Sequence, residues 1–141
     1  MKILNVLTPK RKLGNIGEKY AAKHLKKIGY KIICKNYVAV GAEIDIIAEN
    51  KDAIAFVEVK TRTEGTSSPF EPRPASSITP EKQRKIICAA KYYLATKDVT
   101  KHVRLDVIEV YVNDKQKKSR IVHMENAFNI DTAYTKKIYS R

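Results

Sequence analysis

Two mostly apolar segments joined by a short polar turn constrain the fold of this chain most strongly. Residues 43–49 and 53–60 are rich in Ile, Val, Phe and Ala, and the turn-like sequence Asn50-Lys51-Asp52 separates them. Apolar runs of this length, bounded by turn residues, are typical of interior strands that are covered on both faces. The sequence therefore predicts a hairpin inside a sheet, with other elements packed against it.

The covering elements are located by periodicity and by turn signals. Helical periodicity predicts a first helix over about residues 15–28, ended by Gly29, and a second helix that begins at Thr79-Pro80 and runs to about residue 96. Segments rich in β-branched and aromatic residues predict further strands over 30–40, 102–112 and 120–124. The apolar stripe of the first helix consists of Ile16, Tyr20, Ala21, Leu25 and Ile28.

The order of these elements, α-β-β-β-α-β with a further strand at the end, predicts the fold class. Short loops between the first three strands favour an antiparallel meander. The second helix would then carry the chain, by a right-handed crossover, to a strand parallel to the third. We expect an α/β protein, bordering on α+β, with a central mixed sheet of four to five strands flanked by helices.

Charge indicates the kind of partner. The chain has 28 Lys and Arg against 15 Asp and Glu, a net charge of +13. A field this strong favours a polyanionic partner, either nucleic acid or an anionic membrane surface. A basic protein with a merely solvated surface is the alternative. No apolar run approaches the ~20 residues of a membrane span, and we find no signal-peptide pattern, so a cytoplasmic protein is expected.

Length indicates one domain. A chain of 141 residues fits a single domain over 1–128, followed by a basic C-terminal tail over 129–141. Residues 61–77 are rich in Thr, Ser, Pro and Gly, which predicts a long exposed loop. We expect its part from Thr63 to Ser77 to be mobile without ligand and to close over bound nucleic acid.

The hairpin carries charged residues where apolar ones are expected. If its turn is symmetric, Asn50 faces Ala53, and the same count places Asp45 opposite Glu58. Two opposed carboxylates repel one another, and a divalent cation between them removes that penalty; oxygen ligands suit Mg²⁺ or Mn²⁺. Lys60 shares a strand face with Glu58, so the cluster is suited to metal-assisted phosphodiester hydrolysis.

Other interpretations of these residues stay open. The cluster is also explained by an ion pair in which Lys60 neutralises Asp45 or Glu58 with nothing bound. A turn of odd length would make Asp45 and Glu58 diagonal neighbours. Glu18, at the flank of the first helix's apolar stripe, either adds a third carboxylate or is a solvated residue near the helix start.

Longer motifs around this cluster resemble a known family. Gly41-x-Glu-Ile-Asp45 followed by Phe56-Val-Glu-Val-Lys-Thr-Arg62 resembles the YraN-type family, small bacterial proteins with a restriction-endonuclease-like fold. The resemblance covers roughly residues 12–128. It extends to Gly17-Glu18, Asn36-Tyr37, Lys82-Gln83, Asp106-Val107 and Asn126-Ala-Phe128. One departure is Ala42, which stands where the family often has a second Gly.

The resemblance implies the PD-(D/E)xK nuclease superfamily, which includes archaeal Holliday-junction resolvases. By position, Asp45 and Glu58 would be metal ligands, Lys60 the catalytic lysine and Glu18 the first-helix acid. The nucleic-acid-binding residues would be Arg62, Lys82 and Gln83, although a solvated first turn also explains the last two. Mg²⁺ or Mn²⁺ is the cofactor implied.

Two functions therefore follow from the sequence. The first is a Mg²⁺-dependent nuclease acting on DNA, branched or single-stranded. The second is a non-catalytic nucleic-acid-binding module that keeps the nuclease fold. A protein-interaction domain would leave the net charge unexplained, and the sequence is compatible with a homodimer.

Overall fold

The structure is a computed structural model that describes residues 9–64 and 78–128. The exposed loop was predicted over residues 61–77, but residues 61–63 continue the third strand. Residues 65–77, which make up most of the segment predicted to close over nucleic acid, lie outside the described residues, and so does the basic tail over 129–141. The described residues form two helices and five strands in the expected order. These are α1 (Pro9–Lys27), β1 (Lys31–Ala39), β2 (Ala42–Glu49), β3 (Ala53–Thr63), α2 (Pro80–Ala95), β4 (His102–Val112) and β5 (Lys118–Phe128).

The strands lie in one mixed sheet in the order β1-β2-β3-β4-β5. β1, β2 and β3 form the predicted antiparallel meander, and β4 lies parallel to β3. α2 makes the crossover between these two parallel strands. β5 returns antiparallel to β4 and is longer than the sequence indicated.

The hairpin of β2 and β3 has the symmetric register that the sequence predicts. Its paired residues run from Glu49 opposite Ile54 to Ile46 opposite Val57. The backbone N–H of Asn50 donates to the carbonyl of Ala53 over 3.0 Å, which closes the turn. The regular pairing ends there, and Asp45 and Glu58 are the next residues along the two strands.

The helices cover opposite faces of the sheet. Ala21, Ala22 and Leu25 of α1 pack in one buried cluster with Ile46 and Val57. α2 covers the other face with a second cluster. Its members include Ile86, Ile87, Ala90 and Tyr93, packed with Ile47 and Phe56.

Both ends of α1 differ from the prediction. The helix begins at Pro9, well before the predicted start. It ends at Lys27, so Ile28 lies in the following turn and is 47% exposed rather than part of the buried stripe. Gly29, with φ of 98°, reverses the chain there, and the Tyr30 N–H donates to the Leu25 carbonyl over 2.9 Å.

Candidate active site

The strand alternation of β2 breaks at Asp45. Ile44 packs in the cluster under α2, whereas Ile46, two residues along, packs in the cluster under α1. Residues two apart in a regular strand share a face, so the backbone is irregular between them. At this irregular position, Asp45 Oδ2 accepts a 2.7 Å hydrogen bond from the backbone N–H of Val59 in β3.

A cavity of about 310 Å³ opens beside Asp45, between the N-terminal parts of α1 and α2. Its wall combines acidic and basic side chains from both helices and both hairpin strands. The lining residues include Arg11, Glu18, Glu43, Asp45, Glu58, Lys82 and Lys85. The cavity therefore joins four acids to three cations at one end of the hairpin.

Burial and neighbouring acids perturb the Asp45 carboxyl strongly. Burial first, and then the negative charges of Glu58 and Glu18, raise the pKa of Asp45 to about 8, although the Val59 N–H opposes the shift. The carboxyl is therefore largely protonated at neutral pH when only protein surrounds it. A cation beside Asp45 and Glu58 would reverse this, because it favours the ionised form.

Glu58 is 7% exposed and contacts two lysines. Lys82 Nζ of α2 donates to its Oε1 over 2.7 Å, and Lys60 Nζ lies 3.9 Å from the same oxygen. Burial lowers the pKa of Lys60, and so does the charge of Lys82. For Lys82, burial acts in the same direction, but the hydrogen bond and charge of Glu58 outweigh it and the pKa is raised.

Glu18 reaches the cavity from α1 and meets Glu43 there. With its amide group oriented for hydrogen bonding, Asn36 Nδ2 donates to Glu43 Oε1 over 2.9 Å and to Glu18 Oε2 over 3.2 Å. Burial, and then the charge of Glu43, raise the pKa of Glu18. Asn36 thus holds two acids side by side, and its φ of 54° suits an Asn better than most residues.

A glycine brings α1 close enough for Glu18 to reach the cavity. Gly17 is buried, and a Cβ atom placed there would overlap the Thr61 side chain of β3. The helix backbone therefore packs directly against the strand one residue before Glu18. Only a residue without a side chain allows this approach.

The structure separates the predicted nucleic-acid-binding residues. Lys82 lines the cavity, whereas Gln83 Nε2 donates to the backbone carbonyl of Ile78 over 3.0 Å at the start of α2. Arg62 Nε donates to the buried carboxylate of Glu109 over 3.3 Å. Gln83 and Arg62 therefore each already have a hydrogen-bond partner within the protein.

Sequence reasoning missed several residues of the site. Glu43 and Asn36 stand in the family motifs, but neither was assigned a role. Glu109 is a charged residue in a mostly apolar strand, which is the signal that marked Asp45 and Glu58, and it was overlooked. Arg11 and Lys85, which also line the cavity, were not singled out, because basic residues are frequent throughout this chain.

The donor set can be tested against the implied metal. Among the described residues, no group of three or more His, Cys, Asp or Glu side chains could together hold a metal ion. Mg²⁺ does not require such a group, since it is commonly bound by one or two carboxylates and keeps waters or phosphate oxygens as its other ligands. Asp45 and Glu58 therefore fit Mg²⁺ or Mn²⁺ as a pair.

Fold and site together define the class of this protein. A mixed five-stranded sheet with a helix on each face is the α/β fold that the sequence predicts, and its hairpin of β2 and β3 carries the acid–lysine cluster. The model of the Uncharacterised protein family UPF0102 matches residues 17–110. The chain belongs to this family, and the resemblance to YraN-type proteins is confirmed.

Relatives in this family match nearly their whole length. A UPF0102 protein of Clostridium acetobutylicum is 42% identical over 121 residues, which cover 85% of this chain and 96% of the relative. A UPF0102 protein of Desulfosudis oleivorans is 42% identical over 130 residues, covering 91% and 98%. Within the described residues, no helix has the length and apolar character needed to cross a membrane.

Proposed function

We propose that this protein is a metal-dependent nuclease that hydrolyses phosphodiester bonds in branched or single-stranded DNA, with Mg²⁺ or Mn²⁺ held by Asp45 and Glu58. The observation that carries the proposal is that Asp45 and Glu58 line one cavity, where burial first and the charge of Glu58 second raise the pKa of Asp45 to about 8. Such an arrangement costs stability unless a cation occupies it. Two neighbouring acids that lower stability in this way, next to a lysine whose pKa is lowered, are typical of catalytic sites.

The side chains around the two acids have properties that the reaction requires. A bound divalent ion would supply a Lewis acid for the phosphate and lower the pKa of an attacking water. The lowered pKa of Lys60 makes it easier for this lysine than for an ordinary one to lose its own proton. It could then accept a proton from the attacking water, and in its charged form it could orient that water. Lys82 and Arg11 provide positive charge where a phosphate would enter the cavity.

One observation favours the non-catalytic alternative. Lys82 and Lys60 already surround the Glu58 carboxylate, and this ion pair neutralises the acid without a metal. A nucleic-acid-binding module with such a site would keep the positive surface and cleave nothing. Cleavage and metal binding therefore have to be measured on the same proteins.

The test compares the wild type with Asp45→Asn on linear, single-stranded and branched DNA, in Mg²⁺, in Mn²⁺ and in EDTA. Glu49→Gln is the matched control, because Glu49 lies at the other end of β2 and pairs with Lys101 over 2.9 Å. We expect cleavage only with metal, a loss of at least about 100-fold in Asp45→Asn, and little change in Glu49→Gln.

Calorimetric titration of metal into the same three proteins separates binding from chemistry. Wild type and Glu49→Gln should release or absorb heat on metal binding, and Asp45→Asn should not. Equal heats in all three proteins, with every DNA intact under every condition, would instead favour the non-catalytic module.

A further inference from the structure

A lysine-lined groove runs along α1 beside the candidate active site, and none of its wall residues lines the active-site cavity. Two adjoining cavities, of about 610 and 440 Å³, form it and share Tyr20 and Lys23 as wall residues. Among the described residues, seven exposed lysines and no Asp or Glu line these cavities. The lysines are Lys19, Lys23, Lys26, Lys27, Lys35, Lys117 and Lys118.

Within the part of the chain that the structure describes, the lysines of this groove form no salt bridge with an acid. Like charges at this density repel one another and weaken the fold. A concave surface on which this repulsion between lysines persists is suited to bind an anion with several negative groups.

The spacing of the groove suits a chain of phosphates. Lys19, Lys23 and Lys27 recur every fourth residue of α1, so their Cα atoms rise by about 6 Å per step along one helix face. That spacing is comparable to the separation of neighbouring phosphates in an extended strand. Tyr20, half-buried between the two cavities, offers an aromatic surface of the kind on which bases stack.

The groove also adjoins the candidate active site. Lys35, in its wall, is close enough to Glu18 for its charge to act on the pKa of that acid. At the other end of the groove, the charges of Lys118 and Lys27 act on the pKa of His24 of α1. A strand bound along the groove would therefore come close to the acids at Lys35.

We infer that this groove binds the phosphate backbone of a single nucleic-acid strand and guides it toward the candidate active site. That the guided strand is then cleaved rests on the proposed function. The binding of the strand in the groove does not depend on it. An anionic membrane surface is the competing occupant, and the test below compares the two. Single-strand binding of this kind depends on charge and stacking rather than on base sequence.

The test measures binding without cleavage, by fluorescence anisotropy of a labelled oligothymidylate in EDTA at a series of salt concentrations. Lys23→Gln/Lys118→Gln removes two groove lysines, and Lys51→Gln/Lys97→Gln is a control pair with the same change in charge. All four side chains are exposed, so both variants should fold. The groove pair should melt at the wild-type temperature or slightly above it, because it loses like-charge repulsion, whereas the control pair loses the contact of Lys97 Nζ with the Tyr93 ring, 5.7 Å from its centroid. Phosphatidylserine vesicles serve as the competing anionic probe.

We expect the groove pair to bind the oligonucleotide about tenfold more weakly and the control pair to lose less than about twofold. The slope of log affinity against log salt should become shallower by about 1.4 in the groove pair, since each lost single-strand phosphate contact removes about 0.7. Equal losses in both pairs would overturn the inference, as would a wild type that binds the vesicles and not the oligonucleotide.

The cleavage assays keep this inference separate from the proposed nuclease. Weakened binding in the groove pair, beside a wild type that cleaves nothing, would support the groove and refute the nuclease. Cleavage by the wild type, beside a groove pair that binds like the control pair, would do the reverse.

Discussion

At the scale of single residues, the two lysines near Glu58 have different roles in the structure. Lys82 Nζ lies 2.7 Å from the Glu58 carboxylate, whereas Lys60 Nζ lies 3.9 Å from it. Lys82 is therefore the principal counter-ion, although the sequence pointed to Lys60. Lys60 is left with a lowered pKa and no close hydrogen bond to the acid, which suits a residue that exchanges protons.

This difference predicts distinct effects of the two substitutions. Lys60→Ala should reduce cleavage by at least about 100-fold. It should change the free energy of unfolding by less than about 1 kcal/mol, since Lys82 still neutralises Glu58. Lys82→Ala should cost about 1–3 kcal/mol, because it leaves a buried carboxylate without its closest partner. Urea unfolding and cleavage assays on both variants measure these effects.

A Lys60→Ala protein as unstable as Lys82→Ala would identify Lys60 as a structural counter-ion instead. Lys101→Ala is a useful control, because it removes a lysine from a half-exposed pair with Glu49 at the far end of the hairpin. Its effect on both measurements should be small.

The sequence predicted part of this site because strand register can be counted. A symmetric turn and period-two alternation were enough to place Asp45 near Glu58 and Lys60 beside Glu58, and the register holds as far as Ile46 and Val57. The position of Lys82 does not follow, since it depends on how α2 packs across the sheet. The bridge that Asn36 makes to Glu18 and Glu43 joins three separate elements, so no local pattern indicates it.

At the scale of elements, the packing of α1 on β3 depends on one glycine. Gly17→Ala should destabilise the protein by about 1–3 kcal/mol, because the new methyl group overlaps Thr61 and forces the helix away from the strand. Cleavage should fall as well, since Glu18 moves with the helix. Thermal unfolding and the DNA assay measure the two effects.

Gly14→Ala is the matched control within the same helix. A Cβ atom at Gly14 meets nothing within 4 Å, so this change should be neutral or stabilise the helix by up to about 1 kcal/mol. Shortening the opposing side chain in Gly17→Ala/Thr61→Ala should recover part of the lost stability. If Gly17→Ala behaves like Gly14→Ala, the close approach is not important for the fold.

The elements were predicted well where local patterns are strong and less well at their ends. The strand from His102 to Val112 has its predicted bounds, and the cap at Thr79 accepts a 3.1 Å hydrogen bond from the Lys82 N–H. The start of α1 was missed because Pro9 to Gly14 lacks a regular apolar stripe. Ile28 was misplaced because periodicity continues through a turn that Gly29 determines.

At the scale of the whole molecule, two buried acids in different parts of the sheet have opposite electrostatic environments. Asp106 is fully buried, and it accepts hydrogen bonds from Arg104, His123 and the backbone N–H of Asn126. Despite its burial, these partners lower the pKa of Asp106. Asp45 has acids for neighbours, and its pKa is raised to about 8.

These two environments affect stability in opposite directions. In the unfolded chain, Asp45 has the ordinary aspartate pKa of 3.8 and has lost its proton at neutral pH. The folded protein still binds this proton, so raising the pH toward 8 lowers the free energy of unfolding. The lowered pKa values of Asp106 and His24 act the other way. Their contributions are lost as the pH falls, below 6.5 for His24 and below 3.8 for Asp106.

The balance predicts an unusual pH profile for the metal-free protein. Between about pH 6.5 and about pH 8, its free energy of unfolding should decrease with rising pH, because Asp45 loses its proton in this range. The raised pKa of Glu18 acts in the same direction, and the lowered pKa of Lys60 acts against it. Each pKa unit corresponds to about 1.4 kcal/mol, so the total decrease is expected to be on the order of 1–2 kcal/mol. Urea unfolding in EDTA, followed by circular dichroism at several pH values, measures it.

Asp45→Asn and added Mg²⁺ should both remove this decrease, for different physical reasons. The Asn side chain has no proton to lose, so the variant should be more stable than the wild type near pH 8 in EDTA and flat across the range. Mg²⁺ should flatten the wild-type profile, because it favours the ionised carboxylate and binds the folded protein only. Asp52→Asn, in the exposed hairpin turn, should leave the wild-type slope unchanged. A wild-type profile that is equally steep with and without Mg²⁺ would mean that no divalent ion binds beside Asp45.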